Sequence, residues 1–277
     1  MKKISTLLAA GLFAFSATAQ ELPVPSPLGE IEQQVGLTSL EIEYSRPSAK
    51  DREIFGKLVQ FDEIWRLGAN SCTKLETSTD IMIEGKKVPK GEYALLAIPG
   101  KDGVWTIIIN SDTKLRGTNG YDEKKDILRL KVQAKDNSYT ETLTFGFDNI
   151  TSNSAVISIA WERLKLRIPF TVDTDKAAEN NIKTAIKEGK DLDKVYSKAA
   201  SYFMQKEDFK TALKYADKSL KIKESHSAMF TKARIYKAKG DNDKALDTAK
   251  AALELANKAE STGWANYIKG TIEEWSK

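Results

Sequence analysis

The sequence predicts an all-β antiparallel sandwich followed by an all-α bundle of paired helices, and three observations predict it. Apolar residues alternate with period two from about Thr38 to Val172, then recur with a period near 3.6 after Asp173-Thr174-Asp175. Turn-forming clusters interrupt the first region at short intervals. Glycine and proline nearly vanish beyond residue 173, where alanine and lysine become abundant. A length of 277 residues suits two ordinary domains.

At the amino end, Lys2 and Lys3 precede an apolar run over residues 7–15, and Ala17-Thr18-Ala19 offers a small-x-small site ahead of Gln20. This is the three-part pattern of a signal peptide cleaved after Ala19, too short to persist as a membrane anchor. No cysteine follows the cut, and no later run approaches the ~20 apolar residues of a membrane helix. The expected product is a soluble periplasmic or secreted protein. Its expected organisation is an N-terminal segment at 20–37, a β-sandwich at 38–172 and a helical domain at 175–277.

Leu40, Ile42 and Tyr44 alternate with polar neighbours, as do Leu143, Phe145 and Phe147, and later Leu164, Leu166, Ile168 and Phe170. Such strands have one buried face. Residues 93–98 and 104–109 are almost continuously apolar, which predicts strands covered on both faces. Turns are expected at Glu84-Gly85-Lys86, Pro89-Lys90-Gly91, residues 99–103 and Asp136-Asn137-Ser138. Eight or nine short strands at this spacing read as a sandwich or barrel.

In the helical half, small and aromatic residues recur. Ala199, Ala200, Phe203, Ala212, Leu213 and Ser219 are echoed by Ala233, Tyr236, Ala245, Leu246 and Ala252, with Ala212 and Ala245 33 residues apart. The pattern resembles tetratricopeptide repeats, with Ser219 where that family usually has alanine. The resemblance implies partner contact, so a protein or peptide partner is expected here. Two units leave apolar ends, and residues 175–187 and 264–275 are the candidates to cover them. Tyr202, Phe203, Tyr215 and Tyr236 are expected between helices.

The β half carries Pro25-Ser26-Pro27, Tyr44-Ser45-Arg46-Pro47, Arg52-x-Ile54-Phe55-Gly56, Trp65-Arg66-Leu67-Gly68-Ala69-Asn70-x-x-Thr73, Gly91-x-Tyr93 and Asp126-x-x-Arg129. Together these resemble the exported bacterial proteins of domain-of-unknown-function family 2911, over residues 25–172. The resemblance implies a β-rich fold and no particular activity. Leu67 stands where that family usually has threonine.

Composition excludes several chemistries. The net charge of +4 falls to +2 once Lys2 and Lys3 are removed, giving no argument for nucleic acid or anionic membranes. Cys72 and His226 are the only thiol and imidazole and lie in different halves, so no metal, cofactor or Ser-His-Asp triad is expected. Cys72 reads as a core residue and His226 as the start of a repeat helix. Ser71-Cys72-Thr73-Lys74 matches a serine-x-x-lysine spacing without its companion motifs. Gly117-Thr118-Asn119-Gly120 and Asp241-Asn242-Asp243 read as turns. The ladder Arg163, Lys165, Arg167 reads as a solvated face.

The candidate ligand-binding set is Arg46, Arg52, Trp65, Arg66, Asn70, Tyr93, Asp126 and Arg129. Guanidinium forks, aromatic faces and a carboxamide suit a small acidic or sugar-like ligand. The alternative is structural: Trp65 plugs the sandwich, while Arg52 and Arg66 pair with Asp51, Asp62 or Glu63. The leading reading is a binding or scaffolding protein of the bacterial envelope. The runner-up is a carbohydrate- or cell-wall-active enzyme using acids such as Glu41, Glu43, Glu92 and Asp126 with the arginines.

Overall fold

A computed structural model describes residues 23–277; the signal-peptide pattern and its cleavage site lie outside them. The chain forms two compact units, one ending at Val172 and one running from Asp173 to Lys277.

The first unit contains β1 (Leu28–Val35), β2 (Thr38–Ser45), β3 (Thr73–Thr77), β4 (Ile81–Ile83), β5 (Lys86–Val88), β6 (Gly91–Ile98), β7 (Val104–Asn110), β8 (Asp126–Gln133), β9 (Lys135–Asp148) and β10 (Ser154–Val172). They form a six-stranded sheet, β1-β2-β3-β6-β7-β8, and a four-stranded sheet, β5-β4-β10-β9. Every strand pairing is antiparallel.

Two details differ from expectation. The segment at 20–37 carries β1, which pairs with β2 along its whole length. Its one-sided pattern is weak because β1 is an edge strand, with only Val35 fully buried. Asp136, Asn137 and Ser138 lie inside β9 and form no turn. The chain breaks two residues earlier at Ala134, whose N–H donates to the Gly103 carbonyl at 2.9 Å. Strands β8 and β9 belong to different sheets, so the chain rounds a corner there and needs no hairpin chemistry. By contrast, β4 and β5 are joined by Glu84 and Gly85 at φ 48° and 73°, the two left-handed residues of a type I′ hairpin.

Between the sheets, Leu40, Ile42, Leu75, Leu95 and Ile107 face Phe145, Ile157, Leu166, Ile168 and Phe170 in one core. Trp65 and Trp161 stack at 5.8 Å between ring centroids, and Phe55 meets Trp65, Trp105 and Trp161 edge-on. Strands β6 and β7 are indeed buried on both faces. Tyr93, Leu95, Ala97, Trp105, Ile107 and Ile109 enter the main core, whereas Ala94, Leu96 and Ile108 join Cys72 and Leu115 in a second cluster on the outer face. Ile64 and Tyr121, from the segments at 62–72 and 111–122, roof that cluster.

The second unit contains α1 (Thr174–Glu188), α2 (Leu192–Gln205), α3 (Phe209–Ile222), α4 (His226–Lys239), α5 (Asn242–Lys258) and α6 (Thr262–Trp275). Asp173, Asp208, Ser225 and Asp241 cap helix starts by accepting a first-turn N–H, and Gly189 and Gly240 end helices in the left-handed region. The pairs α2/α3 and α4/α5 meet along alanines: Ala200, Ala212 and Ala216 in one, Ala233, Ala245, Ala249 and Ala252 in the other, all buried. Ser219 is equally buried, and its hydroxyl donates to the Asp193 carbonyl at 2.7 Å, which satisfies the one polar group in an alanine position. Tyr215 stacks on Tyr196 and Phe203. Tyr236 differs: it borders a surface groove. Helix α6 closes the array with Ile268, Ile272 and Trp275 on Phe230 and Ala252. Helix α1 buries no side chain and is tied by Asp175 to Tyr202 and Lys206.

The alanine seam sets a test of packing. Ala249→Leu is expected to destabilise the helical unit by about 1–3 kcal/mol through overpacking, whereas Lys250→Leu, one residue along on the exposed side, should stay within about 0.5 kcal/mol. Urea denaturation followed by circular dichroism measures both.

Candidate functional site

The segment from Trp65 to Asn70 is fixed to β6 by two backbone bonds, Trp65 N–H to Ala97 O at 2.7 Å and Ala97 N–H to Trp65 O at 2.8 Å. Its carbonyls are tied by donors from the same stretch. Arg66 O accepts from the Thr73 N–H, Leu67 O from Thr73 Oγ1 at 2.9 Å, Gly68 O from Trp65 Nε1 at 3.2 Å and Asn70 O from Arg66 Nη1 at 2.8 Å. A Cβ on Gly68 would stand 3.0 Å from the Ser45 carbonyl and 3.1 Å from Thr73 Oγ1, so a larger residue would push the turn away from β2 by a few tenths of an ångström. Leu67 is held at φ 50° while fully buried. Anchors on both sides hold that strained backbone.

The eight candidate residues do not share one cleft. Trp65 and Tyr93 face the main core, where Tyr93 donates its hydroxyl to Pro89 O at 2.7 Å. Arg46 bonds the edge strand β9 at Leu143 O and Thr144 Oγ1 (3.3 and 3.2 Å), and Arg52 bonds the carbonyls of Ala49 and Ser48 (2.9 and 2.7 Å). The expected pairing of Arg52 and Arg66 with Asp51, Asp62 or Glu63 does not occur. Among the described residues neither arginine makes an ion pair, and both instead donate to turn carbonyls. The Asn70 amide reaches Ser26 O and Ser45 Oγ, both at 3.3 Å.

Arg66, Asp126 and Arg129 do border one surface, the second apolar cluster. Arg66 lies against Gly117 of its roof, where a Cβ would come within 2.7 Å of Nη1. Asp126 accepts from Asn110 Nδ2 at 2.7 Å and from the Tyr121 hydroxyl at 2.6 Å, and pairs with Arg129 at 3.0 Å. Arg129 also meets Glu123 at 3.2 Å. Burial first, then the Asp126 carboxylate, push the Tyr121 hydroxyl well above its ordinary value. Asn110, Tyr121 and Glu123 were not among the sequence candidates. Asn110 comes from β7, and only the fold brings it to β8.

The outer face of the six-stranded sheet is strongly acidic elsewhere. Glu32, Glu41, Glu76 and Glu92 are cross-strand neighbours in one row over β1, β2, β3 and β6, and Glu30 and Glu43 stand in the next row beside Lys74. Lys74 pairs with Glu43 and Glu92 at 3.5 and 3.1 Å, which raises its own affinity for the proton. Desolvation and then Glu30, Glu76, Glu32 and Glu43 raise the Glu41 carboxyl. The serine-x-x-lysine spacing ends in this network and enters a strand, so its serine and lysine are on no helix.

Against known proteins, the family described as "Protein of unknown function (DUF2911)" matches residues 26–172, slightly more than half of the chain. The chain belongs to this family. The matched span runs from just before β1 to the end of β10, so the family domain coincides with the sandwich. A TPR repeat-containing protein, MJ1345 of Methanocaldococcus jannaschii, is 38% identical over 69 residues, covering 25% of this chain and 21% of that protein. No solved structure matches.

Two outcomes follow from the site. Cys72 is buried with Sγ toward Leu95 O at 3.7 Å, and burial pushes its thiol up to about 12. The thiol therefore stays protonated at pH 8, and iodoacetamide should label it in denaturant but not in the native protein, as read by mass spectrometry. Asp126→Ala strips partners from Asn110, Tyr121 and Arg129 and should cost about 1–3 kcal/mol in chemical denaturation, more than Glu123→Ala at the exposed end of the same network.

Proposed function

We propose that this protein is an exported binding or scaffolding protein of the bacterial envelope whose helical unit docks a segment of a partner protein. The observation that carries the reading is the pair of alanine-seamed helix hairpins with an open groove along α4 and α5. That groove has a volume of about 300 Å³ and is floored by Met229 and Ala251 with Tyr236 at its side. Lys232 and Lys244 approach the Tyr236 ring to 6.0 and 5.8 Å, giving an aromatic face flanked by ammonium groups. The groove is shallow, near the lower end of ligand-site volumes, as two repeats would make it. Similarity to a protein whose name records tetratricopeptide repeats supports the same reading. The export pattern around Ala17-Thr18-Ala19 supports the location.

The test is capture from envelope extract with the full chain as bait, followed by titration of the captured protein. Tyr236→Ala combined with Lys244→Glu should weaken that complex about tenfold or more. Arg163→Ala, on the sandwich, should leave it unchanged. Equal affinity of all three forms, or capture of nothing, would overturn the reading.

A further inference from the structure

The outer face of β6, β7 and β8 ends in a pocket that is independent of the helical groove. Ile98, Thr106 and Lys131 are consecutive cross-strand neighbours there, and Asp62 is fastened to the end of β6 by its N–H on the Pro99 carbonyl at 2.8 Å. With Lys101 and Asp102 from the β6–β7 turn, these residues line a cavity of about 410 Å³, a volume in the range of small-ligand sites. Its charge is balanced, two carboxylates and two ammonium groups. Among the described residues none of the four makes an ion pair.

All four are exposed, and the fold constrains three of them. The Lys131 ammonium donates to Thr106 Oγ1 at 2.8 Å, which positions it and leaves two donors for another acceptor. One Asp102 oxygen accepts from the Val104 N–H at 2.9 Å. The Asp62 carboxylate has no hydrogen-bond partner among the described residues, and its backbone is held in the left-handed region at φ 62°. Asp62 pairs with the end of β6 on the side away from β7 and Lys131 lies on β8, three strand spacings apart, so their backbones are separated by roughly 14 Å. A single ion would be attracted by one of these groups and repelled by the other. A molecule carrying both charges, spaced to reach both, satisfies them together.

We propose that this pocket binds a short zwitterionic peptide, its terminal ammonium at Asp62 and its terminal carboxylate at Lys131, over the apolar floor of Ile98 and Val104. Two residues of extended chain span about 7 Å, which with the two side chains covers the distance.

The experiment is calorimetric titration of the full chain with L-alanyl-L-alanine, its N-acetyl derivative and its C-terminal amide. Saturable binding of the free dipeptide is expected, weakened about tenfold or more by either cap. Asp62→Asn, a substitution that tolerates the left-handed backbone, should abolish the difference between free and acetylated peptide. Lys131→Gln should abolish the difference between free and amidated peptide. Far-UV circular dichroism and unchanged amide shifts outside the pocket establish that both variants are folded. No saturable binding by the folded wild-type chain at millimolar peptide, or capped peptides binding as well as the free one, would overturn the proposal. So would variants that keep their sensitivity to the matching cap.

Discussion

A strand that is apolar on both faces cannot be left against water on either, and β6 and β7 impose that condition on the whole sandwich. One face is covered by the second sheet in the usual way. The other requires the chain to fold back over the outside of its own sheet, and the segments at 62–72 and 111–122 do so with Ile64, Leu115 and Tyr121. Much of the family's sequence signature becomes intelligible from this. The Trp65–Asn70 turn aims an indole inward through the bridge to Ala97 while Cys72 and Arg66 remain on the outside. Asp126 and Arg129 secure Tyr121, and with it the far edge of the roof.

The helical unit solves its burial problem differently. Its contacts rest on residues too small to interlock, so the helices approach closely and the backbone supplies much of the packing. Aromatic side chains then fill the gaps that alanine leaves, as Tyr215 does between Tyr196 and Phe203. A seam of this kind has no room for a larger side chain, and its one polar member, Ser219, is accepted only because a carbonyl stands within reach.

Much of this architecture was legible in the sequence, because hydrophobic period reports burial directly. Alternation marked β2, β9 and β10, continuous apolarity marked β6 and β7, and the 33-residue shift marked the two helix pairs. Edge strand β1 escaped because a strand with one open side carries too few apolar residues to show a period. Asp136-Asn137-Ser138 misled because turn-prone residues are also tolerated near the start of a long, half-exposed strand. The candidate site was less legible for a different reason. Residue types show that a guanidinium is present, but whether it meets a carboxylate or a turn carbonyl depends on backbone geometry, and Arg52 and Arg66 both met carbonyls. Asp62 and Lys131 are 69 residues apart in sequence and come to line one pocket only through the sheet order, which no local pattern encodes.

Lys74 occupies an unequal position among its neighbours. Replacing Glu30, Glu41 or Glu76 by a neutral residue removes a repulsion, so each of those sites is permissive by itself. Neutralising the single ammonium, whether by substitution or by acylation, leaves Glu43 and Glu92 without their counter-ion in a field of like charge. Drift across this surface is therefore lopsided: many acidic positions are free to wander, provided that one basic position stays still.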